Sequence, residues 1–215
     1  MQKRLPKLVY KSLMATIEHV ITNHGAVVFN GDGYSEDWKV EAEARGLLNL
    51  RTTLDALPQL VTEDSMELFS HYGVFNHREM HSRYDIALEQ YILSISVEAR
   101  LTLELANTSV LPAAMRYQTE LARNVSSLKQ AGIEPDRTTL DEVTSAITEL
   151  RAGIGVLRTE LAHDGADGVE IEAEHVGTKL LPAMSAVRAA ADELEGLTAD
   201  DLWPLATYQE MLYML

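Results

Sequence analysis

The stretch from Asn76 to Gln130 leaves this chain few ways to fold. Asn76, with Glu79 three residues on, is a capping-box pattern, and Phe75 and Met80 stand where a hydrophobic staple would close across it. From Tyr84 to Ala106 the apolar residues cover more than one stripe of a helix, which suits a helix inside a bundle. Glu98, Arg100 and Glu104 interrupt that surface. Lone buried charges are costly, so these three are expected on an exposed edge or with partners. Pro112 falls in the middle, where its ring removes one N–H and crowds the carbonyl of Thr108. Helical spacing resumes at once behind it, with Leu121, Val125 and Leu128 on one side. The pattern predicts one long helix kinked at Pro112; the alternative is a second helix with proline in its first turn.

The remainder reads as helices of varying length around this element. Residues 5–23 are amphipathic, with Leu8, Val9, Leu13, Ile17, Val20 and Ile21 near helical spacing. Ala26-Val27-Val28-Phe29 is the single strand-like run; without a partner it forms no sheet and becomes an extended connection. Ser35 and Thr62 are placed to cap short helices that Gly46 and Gly73 terminate, with Thr52 or Thr53 capping a brief turn between them. A linker with Gly132 and Pro135 precedes a helix for which Thr139 and Glu142 form a candidate capping box. That helix carries Gly153 and Gly155, each costing about 1 kcal/mol against Ala unless close packing requires it. A last long helix runs from Val169, interrupted by Pro182, to a stop at Gly196.

Thr207 and Glu210 suggest a final capping box. The stretch that contains them, Leu202 to Leu215, is apolar enough to expect docking on the bundle or on a neighbouring subunit. The fold class expected is therefore mainly all-α, with at most one short strand. Residues 1–75 form short helices and turns, and residues 76–215 form a long-helix bundle with a docked tail.

Charge narrows the partners. The net charge is −15, and the first eleven residues hold four bases without an acid, leaving −19 on the rest. From Asp136 onward 16 acids face 5 bases. Such a surface repels phosphate backbones and anionic membranes, so neither nucleic acid nor membrane is an expected partner. No apolar run reaches the length of a transmembrane helix, and no signal-peptide pattern is seen at the start. The absence of cysteine excludes thiol catalysis, disulfides and cysteine-ligated zinc.

Three motifs invite chemistry. His77 and His81 share a helix face, but Glu79 is not adjacent to the first histidine and already has a capping role, so a zinc-protease pattern is incomplete. Glu160-x-x-His163 and Glu172-x-x-His175 are the spacing that di-iron carboxylate bundles use; here both pairs flank a loop at helix ends, where such sites do not sit. Glu160, His163, Glu172 and His175 are thus weak metal candidates. Asn30-Gly31-Asp32-Gly33 before Ser35 could cradle an anion, yet no lysine follows and Asp32 repels phosphate, so a tight turn is the better reading. No residue stands out as catalytic or cofactor-binding.

Longer segments resemble a known family. Phe29-Asn30-Gly31-Asp32-Gly33-Tyr34-Ser35-Glu36-Asp37-Trp38, His81-Ser82-Arg83-Tyr84-Asp85-Ile86, Leu111-Pro112-Ala113-Ala114-Met115-Arg116-Tyr117-Gln118 and Asp201-Leu202-Trp203-Pro204-Leu205 are similar to the C-terminal part of the type III glutamine synthetases. The resemblance covers nearly the whole chain in the same order. It implies a cytoplasmic ligase that joins ammonia to glutamate with Mg and ATP, and an oligomer. The catalytic core in such enzymes lies upstream of this region, so no catalytic residue is carried over. The resemblance implies a structural, oligomer-forming piece that is inactive by itself, partnered by further copies or by its own catalytic core. An autonomous helical interaction protein and a di-iron bundle are the competing classes.

Overall fold

The computed structural model describes residues 7–163, 165, 168–206 and 208–212. Two units meet between Asp55 and Ala56. Among the described residues regular structure is entirely helical.

In the first unit, α1 spans Lys7–His24 and α2 spans Glu36–Ala44. The Ser35 hydroxyl caps α2 by accepting from Trp38 N–H at 3.2 Å. The strand-like run takes its other form: Gly25–Val27 is a 3-10 turn and Val28 is extended. Among the described residues there is no strand for it to pair with, and a guanidinium takes that place. Arg45 Nη1 donates to Ala26 O at 3.0 Å and to Val28 O at 2.8 Å, while Phe29 stacks on Trp38 at 4.3 Å. Ala42 is the one fully buried residue among those described in this unit.

At the junction α3 (Thr53–Ala56) is opened by Thr52, whose hydroxyl accepts from Asp55 N–H. A 3-10 turn at Leu57–Val61 follows, and then α4, Glu63–His71, capped by Thr62. Both pack on α5, His77–Leu105. The α5 capping box is fully formed: Glu79 N–H donates to Asn76 Oδ1 at 3.0 Å, and Asn76 N–H donates to Glu79 Oε2 at 2.8 Å.

Helix α5 does not end at Pro112. A π-helical turn, Ala106–Val110, carries it into α6, Leu111–Gln130. Leu111 N–H reaches back five residues to Ala106 O. The next residue is the proline, which has no N–H to place. The widened turn lets side chains bond carbonyls as well: Asn107 Nδ2 donates to Leu103 O at 2.8 Å and Thr108 Oγ1 to Glu104 O at 2.7 Å. Seventy residues later the arrangement repeats. Helix α8 (Val169–His175) passes through a π turn, Val176–Leu180, into α9, Leu181–Leu197, with Pro182 second in line. Thr178 Oγ1 donates to Glu174 O at 2.7 Å, and Leu181 N–H reaches Val176 O. Helix α9 runs through Gly196 and stops one residue later, so that glycine is not its terminator.

Between these two helices lies α7, Thr138–Glu160. Its N-terminus is not capped by Thr139. Asp136 Oδ1 accepts from Thr138 N–H at 2.9 Å and from Thr138 Oγ1 at 2.6 Å, a local turn that starts the helix earlier. At the turn before it, Gly132 ends α6 at φ +78, where Ile133 N–H bonds Leu128 O and Gly132 N–H bonds Lys129 O.

Helix α5–α6, α7 and α8–α9 form a three-helix bundle. Leu150 and Leu157 of α7 and Leu194 of α9 are fully buried, with Ala99, Ala106 and Ala114 opposite them from the long helix. Burying each leucine stabilises by about 1.5–3 kcal/mol. The closest approach is between α7 and α9: a Cβ on Gly153 would stand 3.2 Å from Val187 Cγ2, whereas one on Gly155 would meet nothing. Glu98, Arg100 and Glu104 lie exposed, as the charge argument requires. Ile86, Leu93, Val97 and Leu101 are also more than half exposed, so α5 is not covered on all its apolar sides. In the tail, Leu202 and Trp203 are half-buried, with Trp203 against the core, and Pro204, Leu205, Met211 and Leu212 are exposed. Helix α10 is Tyr208–Leu212; the Thr207 half of the expected cap lies outside the described residues.

Candidate functional site

The turn between α7 and α8 brings all four metal candidates together. His163 follows the C-terminus of α7 and Glu172 sits on α8; His163 Nδ1 and Glu172 Oε2 lie 2.6 Å apart. His175, at the end of α8, places Nε2 3.1 Å from Glu160 O and 3.6 Å from Glu160 Oε2 on α7. Each Glu-x-x-His pair is therefore split, and each histidine takes the carboxylate of the other pair. The two imidazoles stack face to face, with centroids 4.0 Å apart and planes inclined by 13°.

Chemically this is a clasp more than a chelate. Imidazole lone pairs lie in the ring plane, so parallel rings direct them side by side and not toward one point. Among the described residues no three His, Asp or Glu side chains converge as a metal ion would need. The loop acids Asp164 and Asp167 lie outside the described residues. Helix α8 packs on α5, and Glu170 in its first turn is near enough for its charge to act on the Tyr84 hydroxyl. Burial pushes the Tyr84 hydroxyl above its ordinary value, and the Glu170 charge adds to that. No local pattern announces this pair, since its members are 86 residues apart.

His77 and His81 remain exposed on the first turns of α5, with Glu79 engaged in the cap. The Asn30–Gly33 segment is a turn closed on itself. Asp32 Oδ1 accepts from Tyr34 N–H at 3.0 Å, and Ser35 N–H donates to Asp32 O at 3.1 Å. The amide an anion would need is thus taken by the chain's own carboxylate, and Glu36 and Asp37 follow in the first turn of α2.

Arg137 pairs with Asp141 and Arg188 with Asp192, each one helical turn along. No described helix is long and apolar enough to cross a membrane.

Residues 12–129 match the family described as the glutamine synthetase C-terminal domain. The chain is 33% identical over 207 residues to the type-3 glutamine synthetase of Dictyostelium discoideum, an alignment covering 92% of this chain and 28% of that protein. It is 30% identical over 205 residues to a glutamine synthetase of Butyrivibrio fibrisolvens, covering 93% and 29%. A glutamine synthetase of Bacteroides fragilis is 28% identical over 205 residues, covering 91% and 28%. The chain thus spans less than a third of the length of these relatives. The histidine clasp lies beyond the matched family segment, which ends within α6. That segment takes in more than half of the chain: the protein belongs to the glutamine synthetase C-terminal domain family.

Proposed function

We propose that this chain is the C-terminal helical region of a glutamine synthetase and that its contribution is packing and assembly, not chemistry. The observation that carries this reading is the first unit, in which Ala42 alone among the described residues is buried while Val9, Leu13, Ile17 and Val20 of α1 are each more than 40% exposed. A folded segment with that much apolar surface needs a covering partner. The part of a glutamine synthetase that carries the catalytic core is the partner this family relation suggests, with the exposed Ile86–Leu101 stripe of α5 available to another subunit. The ligation of ammonia to glutamate with Mg and ATP, and a cytoplasmic setting, then belong to the assembled enzyme.

The test is twofold. Calorimetry with Mg-ATP and a γ-glutamyl transfer assay on the purified chain should both give nothing, and turnover free of host enzyme would overturn the proposal. Mixing the chain with the complementary part of a type-3 glutamine synthetase should give a complex on sizing chromatography. Leu13→Glu and Ile17→Glu on α1 should abolish it, and a complex insensitive to both would also count against this reading.

A further inference from the structure

The exposed stripe of α5 has a centre of symmetry. Ile86, Leu93, Val97 and Leu101 are each more than half exposed, and Gln90 is exposed among them. On a regular helix these five fall within about 80° of one another, at about 100° per residue. Arg83 and Glu104, also exposed, stand at the two ends of the same face. From the point midway between Leu93 and Ser94, Ile86 and Leu101 are equally far out, as are Gln90 and Val97, and as are Arg83 and Glu104. The face ends where the π turn begins at Ala106, whose extra residue rotates everything that follows.

We propose that this face binds a second copy of the chain, α5 against α5 and antiparallel, with the two-fold axis passing beside Leu93 and Ser94. The inference rests on the assembly role above and names the partner for this stripe. A contact between two identical surfaces must be complementary to itself. Antiparallel pairing about that point sets Ile86 level with Leu101 of the second copy, and Arg83 level with its Glu104, each twice. Glu89 and Arg100 share one flank of the stripe, and the same pairing brings them within two residues, about 3 Å, of level. Opposite charges thus meet at four places around an apolar middle. Parallel pairing would set each of these charges against its own kind, so charge selects the direction as well as the occupant. That alternation of sign is needed, because the chain's net charge of −15 opposes any contact between copies. Arg83 is also held in place at its end of the stripe, its guanidinium carbon 4.2 Å from the centre of the Phe75 ring, so less side-chain freedom is lost on pairing.

The full chain carrying Leu13→Glu and Ile17→Glu, so that α1 takes no part, should be a dimer in sedimentation equilibrium. Adding Leu93→Glu should weaken that dimer by about a hundredfold or more, since the leucine is lost on both sides of the axis. Leu93 is exposed in the single chain, so helicity by circular dichroism should not change. Glu104→Arg should weaken the dimer about tenfold, and Arg83→Glu added to it should restore affinity to within about threefold. The chain has no cysteine, so nitroxides can be placed singly on Ser82→Cys or Ser94→Cys. Dipolar distances between the two copies should be long at position 82, about 35 Å along the axis, and short at position 94. A chain that stays monomeric, a dimer indifferent to Leu93→Glu, no rescue by the paired charge reversal, or short distances at both labels would each overturn the proposal. So would loss of the mixed complex with the catalytic part on Leu93→Glu alone, which would give the stripe to that part. The assembly role is tested apart from this, by the loss of that complex with the α1 substitutions.

Discussion

Replacing Pro182 by alanine separates two accounts of the long helices by the sign of the result. Proline within a regular helix costs about 3 kcal/mol relative to alanine, because it removes a hydrogen bond and collides with the carbonyl four residues back. If Pro182 strains α9 in that way, Pro182→Ala should stabilise the protein by about that amount. In the structure the preceding N–H, from Leu181, already reaches back five residues to Val176 O, and Thr178 covers the Glu174 carbonyl. The strain is then largely relieved before the proline is reached. What remains is the proline's stiffening of the unfolded chain, worth about 0.4–1 kcal/mol, which the substitution would forfeit. Pro182 is exposed, so its ring contributes little packing to confuse the sign. At about 2–4 °C per kcal/mol for a chain of this size, Pro182→Ala should lower the melting temperature by about 1–4 °C. Thermal unfolding followed by circular dichroism reads this directly. A rise of about 6 °C or more would refute the idea that the π turn accommodates the proline.

The two glycines of α7 should respond differently to alanine. Gly155→Ala should gain about 0.8–1 kcal/mol in urea denaturation, and Gly153→Ala should gain clearly less or lose stability, because its Cβ would press on Val187. Asn76→Ala removes the cap of α5 and should cost about 0.5–2 kcal/mol by the same measurement. At high pH, Tyr84 and Tyr91, both raised by burial, make the unfolded chain ionise first. Their contribution is complete below the ordinary tyrosine value near 10 and is lost as pH climbs past it toward the folded value. Tyr84→Phe should flatten the alkaline fall in melting temperature, and an unchanged slope would count against the buried hydroxyl.

What could be read from the sequence was what is decided within four or five residues. The caps at Ser35, Thr62 and Asn76 form as their spacing dictates, because donor and acceptor are neighbours in the chain. Thr139 fails for a comparable local reason: Asp136 reaches the same helix start first. Continuity through Pro112 was legible, but the π turn that permits it was not. It depends on packing that rewards one extra residue, and no residue type marks it. Glu160, His163, Glu172 and His175 could be picked out by spacing, yet their exchange of partners follows from the turn between α7 and α8. Spacing within one helix says nothing about that turn. The influence of Glu170 on Tyr84 and the Gly153–Val187 contact are tertiary in the same sense.

The paired π turns also set a limit on how this chain can change its length. Each holds one residue more than an α-helix would need over the same span, and one residue is worth about 100° of rotation. Deleting a residue at either turn would swing the following helix by roughly a quarter of a circle, turning Ala113 and Ala114, or Ala183 and Val187, out of the core. The segments 106–110 and 176–180 should therefore tolerate substitution at their exposed positions while resisting any insertion or deletion. In that respect they would behave unlike the Ala131–Arg137 connection, where an added residue has no helix phase to disturb.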